Sequence, residues 1–174
     1  MLFGSISDSF NQQASRMLLR AAELGDVNKM QSALADKANP DACTEYGIAA
    51  LHYLAYQNNV DGLELIISYG GNVGIATKSG KIPLHYAVRQ RAIGAVASLL
   101  RNKANVNATL KSCNMTVLHL AAYCNCLEIV TLLLEHGANP ELFDQDGRRP
   151  VDVAKNDAIK ELLRSKHVAQ VDNL

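Results

Sequence analysis

A short cluster of residues recurs along this chain at a nearly constant step, and that step limits the possible folds more than any other feature. Leu51-His52-Tyr53-Leu54-Ala55, Leu84-His85-Tyr86-Ala87 and Leu118-His119-Leu120-Ala121 align, with histidines 33 and 34 residues apart. A second landmark keeps the same phase. Asn39, Asn72, Asn105 and Asn139 each close a Lys-Ala-Asn, Gly-Gly-Asn or Gly-Ala-Asn triplet. Stepping back from His52 by one period lands on Leu19, inside Leu18-Leu19-Arg20-Ala21-Ala22. Stepping forward from His119 lands on Asp152, inside Pro150-Val151-Asp152-Val153-Ala154. Two landmarks in one register indicate a repeated unit, with atypical copies at both ends.

The unit is best read at residues 116–139. Thr116-Val117-Leu118-His119-Leu120-Ala121-Ala122 has the spacing of a short helix with Leu118 and Ala121/Ala122 facing inward. The following run puts Ile129, Val130, Leu133 and Leu134 on one helical face, and Gly137 stops it. Such a helix–turn–helix is too small to bury its apolar face alone, so copies must stack on either side. A period of this length with a Thr-Pro-Leu-His-x-Ala type signature resembles the ankyrin repeat, over about residues 15–166. The resemblance implies an all-α solenoid of stacked helix–turn–helix units with short β-hairpin-like loops. The motif's first position is Ala49, Ile82, Thr116 and Arg149, and only Pro83 and Pro150 keep its proline, which suits the first helical residue. The one extra residue between Asn105 and His119 is assigned to the loop at 107–114.

The expected organisation is a flexible lead-in at 1–14, units at about 15–43, 44–76, 77–110, 111–143 and 144–166, and a tail at 167–174. Gly25-Asp26 turns the first unit, and Gly47, Gly80, Asn114 and Asp146-Gly147 turn the others, at positions where a left-handed backbone is needed. The first unit lacks the motif's His and Pro and reads as an N-terminal cap. The last has a shortened link at Lys155-Asn156-Asp157 and a charged outer face of Lys160, Glu161, Arg164 and Lys166, as a C-terminal cap should. Five stacked units would form a body on the order of 40–50 Å long.

Lys+Arg and Asp+Glu balance at 17 each, but the charges are segregated. Residues 65–127 carry seven basic side chains (Lys78, Lys81, Arg89, Arg91, Arg101, Lys103, Lys111) and no acid, between two acidic thirds. Because a solenoid maps sequence position onto space, this predicts a positive belt around the middle. The four cysteines, Cys43, Cys113, Cys124 and Cys126, have no paired-framework spacing and read as reduced thiols. That points to a cytoplasmic setting, with the nucleus, or the host cytosol for a bacterial effector, as alternatives. The start of the chain lacks a basic and then apolar signal pattern, and no apolar run reaches spanning length.

The regularly spaced histidines could suggest a metal ladder, but one repeat step separates neighbours far beyond shared coordination. The resemblance implies that each hydrogen-bonds backbone at its hairpin–helix junction. Cys113, Cys124, Cys126 and His119 offer zinc-ligand chemistry without zinc-site spacing, so no metal, no cofactor and no catalytic constellation are expected. Gly70-Gly71-Asn72-Val73-Gly74 ends a helix and lacks the Lys-Ser/Thr of a phosphate loop.

By the resemblance, partners dock on a concave face of hairpin tips and first helices. In the second unit these positions are Glu45, Tyr46, Ile48, Tyr56 and Gln57. In the third they are Lys78, Ser79, Lys81, Arg89 and Gln90. In the fourth they are Ser112, Cys113, Met115, Tyr123 and Cys124, and in the last Gln145, Asp146 and Arg148. Tyr, Arg and Met suit binding hot spots. The expected function is a monomeric, non-catalytic protein-binding module for an acidic partner, acting as inhibitor, adaptor or secreted bacterial effector. The alternative is nucleic-acid or anionic-lipid binding through the basic middle.

Overall fold

The computed structural model describes the backbone of residues 3–171 and the side chains of residues 10–165. Ten helices follow one another among these residues: α1 (Phe3–Leu24), α2 (Val27–Ala35), α3 (Ala50–Gln57), α4 (Val60–Ser68), α5 (Pro83–Arg89), α6 (Ile93–Arg101), α7 (Val117–Tyr123), α8 (Leu127–Glu135), α9 (Pro150–Val153) and α10 (Asp157–Val171). They stack in two rows. The first helices run α1, α3, α5, α7, α9, each against the next, and the second helices run α2, α4, α6, α8, α10. Among the described residues, strand structure is limited to isolated bridges, Cys43 with Ala49 and Thr109 with Thr116, at the bases of hairpins between units.

The core lies between the rows. Leu51, Leu84 and Leu118 are fully buried at one level, and Leu63, Val96, Ile129 and Ile159 come in from the second helices. Alanines at the thin positions (Ala55, Ala87, Ala121, Ala122) let successive first helices approach closely. Leu133 is fully buried, on the helical face that the apolar spacing assigns to it.

The turns follow the register. Gly47, Gly80 and Gly147 have φ of 77°, 82° and 72°, and Asn114 has φ 53°. At Gly47 the tightness is also tertiary, since a Cβ there would sit 3.1 Å from the backbone nitrogen of Lys78. The asparagine landmark proves to be a turn device. Asn39, Asn72, Asn105 and Asn139 each accept, through Oδ1, the amide of the residue two positions on.

The two ends depart from expectation. The lead-in at 1–14 is helical from Phe3 onward, because no proline and no glycine after Gly4 interrupts the run into Leu18. Residues 1 and 2 lie outside the described residues. The tail expected at 167–174 is helical as far as Val171, where α10 ends, and residues 172–174 lie outside the described residues.

Candidate functional site

Each histidine of the repeated cluster occupies the third position of a first helix and turns its ring back over the helix start. Nδ1 of His52, His85 and His119 accepts the amides of Ala49, Ile82 and Thr116 at 3.0, 3.2 and 3.2 Å. These amides belong to the N-cap residues, which have no helical partner. In the last unit Asp152 does the same work, its Oδ2 accepting the Arg149 amide at 2.8 Å. Only Thr116 reciprocates, its hydroxyl accepting the His119 amide at 3.3 Å.

The other ring nitrogen ties one unit to the next. Nε2 of His52 donates to the Lys81 carbonyl at 3.0 Å, and Nε2 of His119 to the Arg148 carbonyl at 2.8 Å. The hairpins are also linked directly: the Lys78 amide donates to the Tyr46 carbonyl, and the Gln145 amide to the Cys113 carbonyl, both at 3.0 Å. Between the third and fourth units both links are missing among the described residues. His85 Nε2 is buried without a partner, and no backbone bond joins the two hairpins.

The cause is visible in hairpin length. Thr44 bonds Ile48, Thr77 bonds Lys81 and Asp144 bonds Arg148, all across four residues, whereas Leu110 bonds Met115 across five. The extra residue therefore sits in the tip at 111–114, within the loop assigned to it. Thr44, Thr77 and Asp144 also brace their hairpins with a side-chain oxygen that accepts the amide opposite. Leu110 has no such oxygen.

At this junction the sequence-derived positions converge on a slot of about 510 Å³. Tyr56, Lys81, Arg89, Gln90, Tyr123 and Cys124 all line it. Tyr56 and Tyr123 are more than half exposed, and Arg89 is exposed, with no ion pair among the described residues. Met115, Tyr123 and Arg148 meet again in a smaller neighbouring recess, where the Lys155 ammonium lies 5.2 Å from the Tyr123 ring. Burial pushes the Cys124 thiol above its ordinary pKa despite the nearby cations, so it is a neutral, weakly polar wall.

Other expected positions are spread along the hairpin edge. Glu45, Tyr46, Lys78, Ser79, Ser112 and Gln145 are exposed tips, and Ile48 and Cys113 are half-buried. Three are already engaged. Gln57 donates its amide to the Glu23 carbonyl at 2.7 Å, bracing the second unit on the first. Arg148 pairs with Asp144 at 2.8 Å and with Asp146 at 2.7 Å. Burial opposes the Asp144 carboxylate, yet hydrogen bonds from the Arg148 amide and guanidinium hold its pKa below the usual range.

The basic middle is not one continuous face. Arg101, on the second-helix row, pairs with Glu64 at 3.2 Å, and Glu64 also accepts from Ser98 at 2.7 Å. The Arg91 guanidinium is taken up by the carbonyls of Cys124 and Asn125, capping the fourth unit's turn. Lys81 and Arg89 remain on the slot.

Sequence reasoning missed Tyr86, Leu120 and Leu110, which also line the slot. Tyr86 and Leu120 directly follow a histidine and stand one helical turn before Arg89 and Tyr123, so helical spacing could have found them. Leu110 had no comparable signal. Among the described residues no group of three or more His, Cys, Asp or Glu side chains gathers as a metal site. Among them also, no helix is long and apolar enough to cross a membrane.

The model of the ankyrin-repeat family, built for three copies, matches residues 18–110 and again 94–173. Among curated proteins, the chain is similar to ankyrin repeat and SOCS box protein 5 of Bos taurus, at 46% identity over 34% of this chain and 18% of that protein. It is similar to ankyrin repeat and SOCS box protein 3 of Bos taurus at 35% identity over 62% of this chain and 21% of that protein. The mitochondrial disaggregase of Bos taurus is 25% identical over 85% of this chain and 22% of its own length. The chain thus spans about a fifth of the length of each of these relatives. With the matched family model covering most of the residues that build the two stacked rows, the chain belongs to the ankyrin-repeat family.

Proposed function

We propose that the chain is a non-catalytic protein-binding module whose hairpin-and-first-helix face docks an acidic partner. The observation that carries this reading is the convergence of Tyr56, Arg89, Lys81 and Tyr123 on one slot across three successive units. Aromatic rings flanked by unpaired cations supply rigid contact area and electrostatic attraction together. A face held by inter-unit hydrogen bonds loses little freedom on docking. The distribution of the remaining basic residues favours a protein over nucleic acid. Phosphate binding calls for a row of cations on one face, whereas Arg101 stands on the other row, already paired with Glu64.

The test is association kinetics against partners captured by affinity purification. Lys81→Glu with Arg89→Glu should slow association and flatten or reverse its loss with salt, while leaving the helical circular dichroism intact. Unchanged capture by the double variant would remove the slot from the reading. Inhibition, adaptor action or effector action are all open to a module of this kind, and the identity of the captured partner selects among them.

A further inference from the structure

The orphaned His85 nitrogen and the slot beside it have one origin, and together they define what the slot can hold. In a neutral imidazole whose Nδ1 accepts the Ile82 amide, the proton is on Nε2, so the buried atom without a partner is a donor. His85 is only 2% exposed, so bulk water does not reach the ring freely. A buried donor of this kind calls for an acceptor oxygen. At His52 and His119 that oxygen is a carbonyl of the following hairpin. At His85 the longer tip between Leu110 and Met115 has carried the hairpin out of register, and the Lys111 stem lies against Gly80 instead. Leu110, at the base of that tip, lines the slot together with His85, Lys81 and Arg89.

Resting on the protein-docking reading above, we propose that this slot receives the carboxylate of an aspartate or glutamate side chain from the partner, which accepts the His85 Nε2–H and lies between Lys81 and Arg89. The rings of Tyr56, Tyr86 and Tyr123 surround the apolar stem of the incoming side chain. The carboxylate takes the place of the hairpin carbonyl that the other two junctions supply from within the chain. The tip beside it makes no backbone bond to the third unit's hairpin, its Cys113 carbonyl accepting the Gln145 amide on the far side, so no backbone bond closes the junction at His85 to a guest. Two cations and a single donor match one carboxylate, while a nucleic-acid backbone would need phosphate contacts continuing beyond the slot.

The experiment is a side-chain ¹⁵N NMR titration of the intact chain with two synthetic hexapeptide pools, identical except for Glu or Gln at a fixed central position. The Glu pool should move the His85 Nε2 resonance and bind at least about tenfold more tightly than the Gln pool. Lys81→Gln with Arg89→Gln, at a half-buried and an exposed position outside the buried core, should abolish that preference. Deleting Ser112, which restores the four-residue hairpin, should leave His85 unresponsive; if that variant fails to fold, the double glutamine variant decides alone. Equal binding of the two pools, or a silent His85, overturns the proposal. Shifts confined to the tip amides near Tyr46 and Ser79 would sink the carboxylate slot and leave protein docking standing. A larger His85 response to inorganic phosphate or an oligothymidylate than to the Glu pool would overturn both in favour of phosphate recognition.

Discussion

Replacing His119 by leucine should destabilise the array by about 2–4 kcal/mol, and replacing His85 by leucine by no more than about 2 kcal/mol. The two rings are equally buried and hold equivalent positions, so burial alone predicts equal losses. The difference comes from bonding. His119 holds the Thr116 amide through Nδ1 and the Arg148 carbonyl through Nε2; leucine orphans the amide and takes from the carbonyl one of its two bonds, the Asp144 amide remaining. The orphaned amide costs about 1–3 kcal/mol and the lost carbonyl bond about 0.5–1.5 kcal/mol. Leucine at 85 orphans only the Ile82 amide, and it also removes a buried donor that had no acceptor, so gain and loss largely offset. Urea unfolding followed by circular dichroism at 222 nm, compared through midpoints at a common slope, reads the difference. Equal losses would refute the reasoning, since they would mean that His85 Nε2 is satisfied in the free protein.

Stability should fall as pH drops from 7 to 5. Burial lowers the His85 pKa to about 4 from an ordinary 6.5, and lowers those of His52 and His119 as well. The unfolded chain then binds more protons between these values, so stability present above pH 6.5 is lost as pH falls toward 4; at pH 5 His85 alone accounts for about 2 kcal/mol. A flat urea midpoint across that range would contradict this. Leu133→Ala should cost about 2–5 kcal/mol, because the residue is fully buried between rows, and a melting shift near zero would count against that placement. Asp152→Asn should be close to neutral and Asp152→Ala should cost about 1 kcal/mol, because the capping acceptor at Arg149 survives only in the first.

Much of the fold was legible in the residues. The helix limits around Leu51 and Leu63, the left-handed turns at Gly47 and Gly80, and the burial of Leu133 all follow from apolar spacing and from backbone conformations that few residues tolerate. The first turns of the long α1 are not legible in the sequence, because they lack the repeat's landmarks. The candidate face was half legible: Tyr56, Arg89 and Tyr123 came from register alone, but Gln57 and Arg148 proved to be taken up within the chain.

From its residues alone this chain determined a period, and with it the stacking, the two-row core and the identity of the turn positions. Those properties are local, or they repeat every unit, so spacing encodes them. Only the tertiary structure decided what the one extra residue before Met115 does. Its effect falls on His85, some thirty residues earlier in sequence, because that ring bonds across the unit boundary to whatever carbonyl the next hairpin presents. A contact between units depends on the relative placement of two hairpins, and no spacing within either one records it.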